Sequence, residues 1–237
     1  HVGVDTGVLN GHHVTGNVGI QILDDLKPET RKQDLRHFYT RLGANFYAIY
    51  SLFHHLYGDR QDFKHQVTQL IEVMARQYID RDPQLRKSDI EREKDHNWFL
   101  RQECVGMALY VDGFARDLQG LREHLPYLQE LGINMVHVMP IMKCPAWHSD
   151  GGYAVSDARA VDDRVGTLED LRKLARDMRR RNMLLTLDVV VNHVSDQHEW
   201  AQRARAGEKK YQDYFYVFDT REVPDLFEET MPEVFPE

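Results

Sequence analysis

Apolar residues recur every three or four positions through Leu35, Phe38, Leu42, Phe46, Ile49, Phe53 and Leu56. That spacing puts them on one side of an α-helix and predicts one buried face. Gly58 predicts its stop. A second stripe runs through Phe63, Val67, Leu70, Ile71, Met74 and Tyr78. Asp82-Pro83 then punctuates the chain. Ser88 with Glu91 has the spacing of a capping box and predicts that a third helix opens there. From about residue 24 to residue 100 the pattern reads as an all-helical N-terminal domain, its aromatic stripe as core. Residues 1–23 hold no sustained period and read as a loose leader.

At Cys104 the period changes. Residues 105–111 predict a short apolar strand ending in Asp112-Gly113. Leu118 to Leu131 follow with helical spacing, which Pro126 is expected to divide in two. Gly132 ends that stretch. Ile133 to Met139 predict a second buried strand, stopped by Pro140, and a long polar loop runs from Met142 to about Gly166. Thr167 is placed to cap a helix with Leu168, Leu171, Leu174 and Met178 on one side. Met183 to Val191 predict a third, almost continuously apolar strand. Strands alternating with helices feed a parallel sheet covered by helices. Doubly wound sheets and (β/α)8 barrels both begin this way. Residues 192–237 leave that grammar, with aromatics clustered over 211–218 and then Pro224, Pro232 and Pro236.

The 237 residues hold one large domain or two small ones, and 42% hydrophobic content is ordinary for a folded domain. No run of 18 apolar residues predicts a membrane span, and no secretory segment opens the chain. The first residue is His rather than Met, so the start is expected to be processed, cloned or incomplete. A formal net charge of −8 and the lack of a long basic stripe argue against a nucleic-acid partner. Lys173 to Arg181 read as the solvated face of a helix. Cys104 and Cys144 fall near opposite ends of two strands, beyond disulfide reach, so free thiols and a reducing, cytoplasmic location are expected.

Ligands of βα folds collect at the carboxyl ends of the strands. Asp112, the run Ser149 to Tyr153, and Asn192-His193 with Asp188 should gather there. Asp188 inside an apolar strand requires partners, and serves either as a structural anchor or as part of a site. Asp150 before Gly151-Gly152 suits an ordinary turn, though the glycines also allow close approach of a ligand. Tyr153 is either core or a ring face on which a sugar lies. His193 is either a structural histidine or a ligand-binding one. No HExxH, GxGxxG, Walker A or GxSxG pattern occurs, so no metal, no cofactor and no hydrolase triad are expected.

The run DVVVNH from Asp188 to His193 resembles the first signature of the α-amylase superfamily. HVMP from His137 to Pro140, Lys143-Cys144-Pro145, and SDGGYAV from Ser149 to Val155 are narrower and resemble the amylosucrases and similar sucrose hydrolases. HEWAQ from His198, Tyr214 to Tyr216, and Pro224-Asp225 continue the likeness, which covers nearly all but the leader. Two places depart from it. Ala146-Trp147 stand where Glu-Gly is expected, and Val189 to Val191 replace a bulkier mix.

The resemblance implies a partial (β/α)8 TIM barrel, its first three strands over 101–191, preceded by the helical domain of 24–100. Residues 192–237 would begin the long insertion after strand three. Such enzymes cleave sucrose with retention, through a covalent glucosyl-enzyme, and pass glucose to the 4-hydroxyl of an α-glucan acceptor, or to water. Their nucleophile and acid/base lie on strands four and five, beyond Glu237, so no catalytic residue is expected here. The chain alone is expected to be inactive and, with sheet edges open, to aggregate or need the missing half. By the family pattern Asp150 sits at the blocked end of the glucosyl pocket and Tyr153 stacks on the sugar. His193 bonds a hydroxyl and Asp188 orients the floor. Residues matching Asn192 bind calcium in α-amylases, but the amylosucrase likeness implies no metal. A third reading, from another class, is a sugar-binding module without catalysis.

Overall fold

The computed structural model describes residues 36–230, so the leader, the first residues of the expected helical domain through Leu35, and the last seven residues with Pro232 and Pro236 lie outside the described residues. The chain divides into two compact units between Trp98 and Phe99.

The first unit holds helices α1 (Arg36–Tyr57), α2 (Phe63–Asp80) and α3 (Pro83–Glu93). Phe38, Leu42 and Phe46 of α1 are buried with Ile71 and Ala75 of α2, and the Phe38 and Tyr78 rings lie 5.4 Å apart. The stripe does not stay buried to its end. Leu56 is exposed, while Phe53 and His54 turn to Phe63. Helix α3 starts five residues before Ser88. Asp82 caps it by accepting the Gln84 N–H at 2.8 Å, and Pro83 needs no partner at the first helical position. Ser88 instead lies inside the helix and donates to the Gln84 carbonyl at 3.0 Å.

The second unit holds strands β1 (Gly106–Leu109), β2 (Met135–Val138), β3 (Met142–Lys143), β4 (Asp157–Val161) and β5 (Leu184–Leu187). Its helices are α4 (Val111–Ala115), α5 (Leu118–Glu130), α6 (Leu168–Arg180), α7 (Glu199–Arg205), α8 (Lys209–Gln212) and α9 (Glu222–Thr230). A parallel sheet runs in the order β1-β2-β5, so each long crossover joins neighbouring strands. In register, Ala108 faces His137 and His137 faces Thr186.

The placement of the helices decides between the two parallel architectures. Leu118, Leu121, Leu125 and Leu128 of α5 share one core with Leu171, Leu174 and Met178 of α6 and with Val136 and Val138 of β2. Both helices therefore cover the same face of the sheet. Arg122 of α5 also grips Asp177 of α6, Nη2 to Oδ2 at 2.7 Å. A doubly wound sheet has helices on both faces, whereas a barrel has them on one. The opposite face carries Ala108, His137 and Thr186, of which none is buried. The second unit is the opening part of a (β/α)8 barrel, and its three parallel strands do not close.

Three local expectations need correction. The strands are four residues long because Val111 already starts α4, and because the backbone leaves the ladder soon after Val138 and Leu187. Pro126 does not divide α5. It lies exposed while Leu125 and Leu128 hold the helix to the core on the other side. The stretch read as polar loop contains an antiparallel pair, β3 with β4. A two-residue strand is too short to show alternation in sequence. Thr167 caps α6 as expected, in a full capping box with Asp170.

A side chain at Gly120 would place its Cβ 2.0 Å from the Ala115 carbonyl oxygen, whereas Gly43 in α1 has open space around it. Gly120→Ala is therefore expected to destabilise the second unit by about 1–3 kcal/mol. Gly43→Ala should stabilise the first by about 0.5–1 kcal/mol. Urea unfolding followed by circular dichroism separates the two signs.

Candidate functional site

Asp188 is the first residue beyond β5. It stands two positions after Thr186, on the sheet face that carries His137. Both of its carboxylate oxygens have partners. His137 Nε2 lies 2.9 Å from Oδ1, and the Tyr153 hydroxyl donates to Oδ2 at 3.2 Å. The Asp188 side chain is 24% exposed, so it needs those partners without being sealed from a ligand.

Tyr153 is delivered by the turn from Ser149. The Ser149 carbonyl accepts the N–H groups of Gly152 and Ala154, both at 2.9 Å, and the Asp150 carbonyl accepts that of Tyr153 at 3.1 Å. Asp150, Gly151 and Gly152 all have positive φ, at 48°, 63° and 96°. At Gly152 any Cβ would stand 2.9 Å from the Pro140 carbonyl oxygen, so only glycine lets the turn lie against the end of β2. A Cβ at Gly151 would meet the Tyr110 hydroxyl at 3.3 Å. The chain beyond β5 is joined to the same region, because Ser195 N–H donates to the Val155 carbonyl at 2.9 Å.

Of the four expected residues, Asp188 and Tyr153 are joined directly. Asp150 is exposed in the same turn, and its charge adds to the field on the Tyr153 phenol. His193 follows on exposed chain five residues after Asp188, its Nδ1 3.4 Å from Asn192 Nδ2. Burial raises the Tyr153 phenol above its ordinary value, and the Asp188 carboxylate raises it further. Two members of the cluster were not expected, His137 and Tyr110. His137, like Asp188, is a polar side chain within an apolar strand, and such a side chain requires partners. Tyr110 also stands at the carboxyl end of its strand, where ligands collect.

Beside the turn lies a cleft of about 120 Å³, lined by Tyr110, Pro140, Gly151, Gly152, Asp162 and Arg164 among others. Asp162 is buried at its wall. It accepts from Arg164 Nε at 2.9 Å, Nη2 at 3.1 Å and backbone N–H at 2.9 Å, and from the Cys144 thiol at 3.2 Å. Burial alone would push the Asp162 carboxyl upward. The Arg164 bonds and the Cys144 thiol outweigh it and hold the group at about 2. Burial, then Asp162, pushes the Cys144 thiol up. With Asp162 N–H on the Ile141 carbonyl at 2.9 Å, this cluster braces the base of the β3–β4 hairpin that carries the turn. Among the described residues no group of three His, Cys, Asp or Glu side chains is arranged to hold a metal ion.

The model of the alpha-amylase catalytic domain matches residues 52–235. The chain belongs to the alpha-amylase family. An oligo-1,6-glucosidase of Bacillus cereus is 41% identical over 105 residues, 44% of this chain and 18% of that protein. The trehalose synthase/amylase TreS of Mycolicibacterium smegmatis is 36% identical over 133 residues, covering 53% of this chain and 22% of that one. Among solved structures, an isomaltulose synthase mutant from Erwinia rhapontici NX5 in complex with its natural substrate sucrose is 33% identical. It covers 51% of this chain and 23% of its own, with a TM-score of 0.46. The chain spans about a fifth of the length of the curated relatives it matches.

Two outcomes follow from the electrostatics of this alpha-amylase-family site. In Asp188→Asn the Tyr153 phenol should titrate lower, yet still above its ordinary value, since burial remains. Nuclear magnetic resonance of the tyrosine ring carbons reads this directly. For Asp162 the folded value of about 2 lies below its unfolded value of 3.8, so the stabilisation is complete above that value and lost as pH falls through about 2. Arg164→Gln should cost about 1–2 kcal/mol at pH 7, reduced from a buried pair's value because Arg164 is half exposed. The gap to the wild type should close on acidification to about pH 2 in urea titrations.

Proposed function

We propose that this chain supplies the glucose-gripping wall of an amylosucrase-type enzyme, one that cleaves sucrose with retention and passes glucose to an α-1,4-glucan. One observation carries the reading: the Tyr153 hydroxyl is pinned by Asp188 at the carboxyl end of a parallel sheet, with Asp150 in the same turn. A phenol held at its hydroxyl has a fixed ring position, and a pyranose lies with its apolar C–H face on such a ring. Asp150, exposed beside it, is an acceptor for sugar hydroxyls. His193 offers a further donor or acceptor on the chain after β5. Relatives named as glucosidases and as a trehalose synthase support a glucose-containing substrate.

In this reading the chain's own residues bind and orient. Bond breaking belongs to the carboxylate pair that the family resemblance assigns to strands four and five. A sucrose hydrolase, with water as the acceptor, is the second reading. It is favoured by the number of relatives named as hydrolytic glucosidases.

Calorimetry tests the proposal on the purified chain. Glucose is expected to bind in the millimolar range, a modest affinity of about 4 kcal/mol. Asp150→Ala and Tyr153→Ala should each weaken it by tenfold or more, and sucrose should release no fructose. Glucose binding that survives both substitutions would remove the reading.

A further inference from the structure

The loop that enters the Ser149 turn carries one side chain that the site above does not use. Trp147 is 82% exposed, an unusual place for the largest apolar ring. The other two tryptophans are engaged. Trp98 lies under the Arg92 guanidinium at 4.6 Å, and Trp200 packs on His198 and Tyr214. Among the described residues Trp147 has no ring or cation partner.

Its position is nevertheless fixed from both sides. On one side Cys144 is buried, donating to Asp162 and accepting from Arg164 Nη2 at 3.3 Å, and Pro145 beside it is buried too. On the other side His148 and Asp150 hold positive φ, at 65° and 48°, although neither is glycine. Backbone of that kind is costly for residues with a Cβ and is kept where the surroundings enforce it. The indole is therefore presented to solvent by a braced loop, three residues before Asp150. Three residues span at most about 10 Å of chain.

We infer that Trp147 is a stacking platform for a second sugar ring, the hexose adjoining the one held at Asp150 and Tyr153, so that it sets a preference for α-glucan chains over single sugars. The inference rests on the proposed glucose site and deepens it. An uncharged pyranose suits the platform, because an indole face attracts apolar C–H groups and requires no counter-charge. Trp147 is a specificity-determining residue and takes no part in gripping the first ring.

The test compares maltoheptaose with glucose on the 237-residue chain by calorimetry, with tryptophan fluorescence read alongside. Trp147→Ala should weaken maltoheptaose about five- to tenfold and leave glucose unchanged. Trp147→Phe should recover part of the loss, and the fluorescence change on adding maltoheptaose should vanish in both variants. If Trp147→Ala leaves the ratio of the two affinities as in the wild type while Asp150→Ala abolishes glucose binding, this inference falls and the glucose site stands. If the wild type binds neither sugar, both fall. A Trp147→Ala variant altered only in its oligomeric state also overturns the platform, and assigns the indole to a protein contact.

Discussion

The Asp188 carboxylate stands at the end of an apolar strand, half sheltered from water, and both of its oxygens are bonded: one to the His137 ring, the other to the Tyr153 hydroxyl. Leaving either oxygen without a partner would cost on the order of 1–3 kcal/mol. The requirement ties three separate pieces of chain together, since β2 carries His137, β5 leads to Asp188 and the turn carries Tyr153. Gly152 then lets that turn rest on the Pro140 carbonyl at the end of β2. Moving the turn would unpair the carboxylate, and moving the carboxylate would free the turn. The ring of Tyr153 and the exposed Asp150 inherit their positions from this one shared acid.

The two faces of the sheet divide the work. Apolar side chains of β2 point to α5 and α6 and fill one core, which gives the unit its stability. His137 points the other way, and the row it belongs to is open to solvent or to a ligand. Alternation along a strand makes this division automatic: a residue two positions past Thr186 must return to the His137 face. Substitutions on the helix-covered side are therefore read in stability, and those on the other side in binding.

Much of this was legible in the chain. The helical stripes, the apolar strands and the Thr167 cap depend on local periodicity and local hydrogen bonds, which sequence displays directly. Ser88 misled because its spacing to Glu91 imitates a cap, while Asp82-Pro83 offers a better one. Pro126 misled because a proline's penalty is local and the core contacts of Leu125 and Leu128 are not. The β3–β4 pair left no trace because its pairing spans a loop and its first strand has two residues. At the site, Asp188 stood out as a carboxylate inside an apolar strand, and Tyr153 as a ring following the Asp150-Gly151-Gly152 turn. His137 likewise lies inside an apolar strand, yet its partner is 51 residues away in sequence. Only the parallel register, which brings His137 level with Thr186, shows that Asp188 lies within its reach.

Two sheltered aspartates of this unit are satisfied in opposite ways. Asp162 takes an arginine, and its charge is cancelled where it braces the hairpin. Asp188 takes a phenol and an imidazole, and among the described residues no arginine or lysine is paired with it. The brace is thus electrically neutral, while Asp188 and Asp150 leave the neighbouring face acceptor-rich. Hydroxyl groups of an uncharged sugar are donors that such a face can satisfy. Under the proposed reaction, positive charge grows on the sugar ring as the glycosidic bond breaks. In that reading the carboxylate pair of strands four and five meets that charge, and Asp188 and Asp150 hold the ring in place for it. Arg164 spends its charge on Asp162 in the hairpin brace, which leaves Asp188 to the phenol and the imidazole.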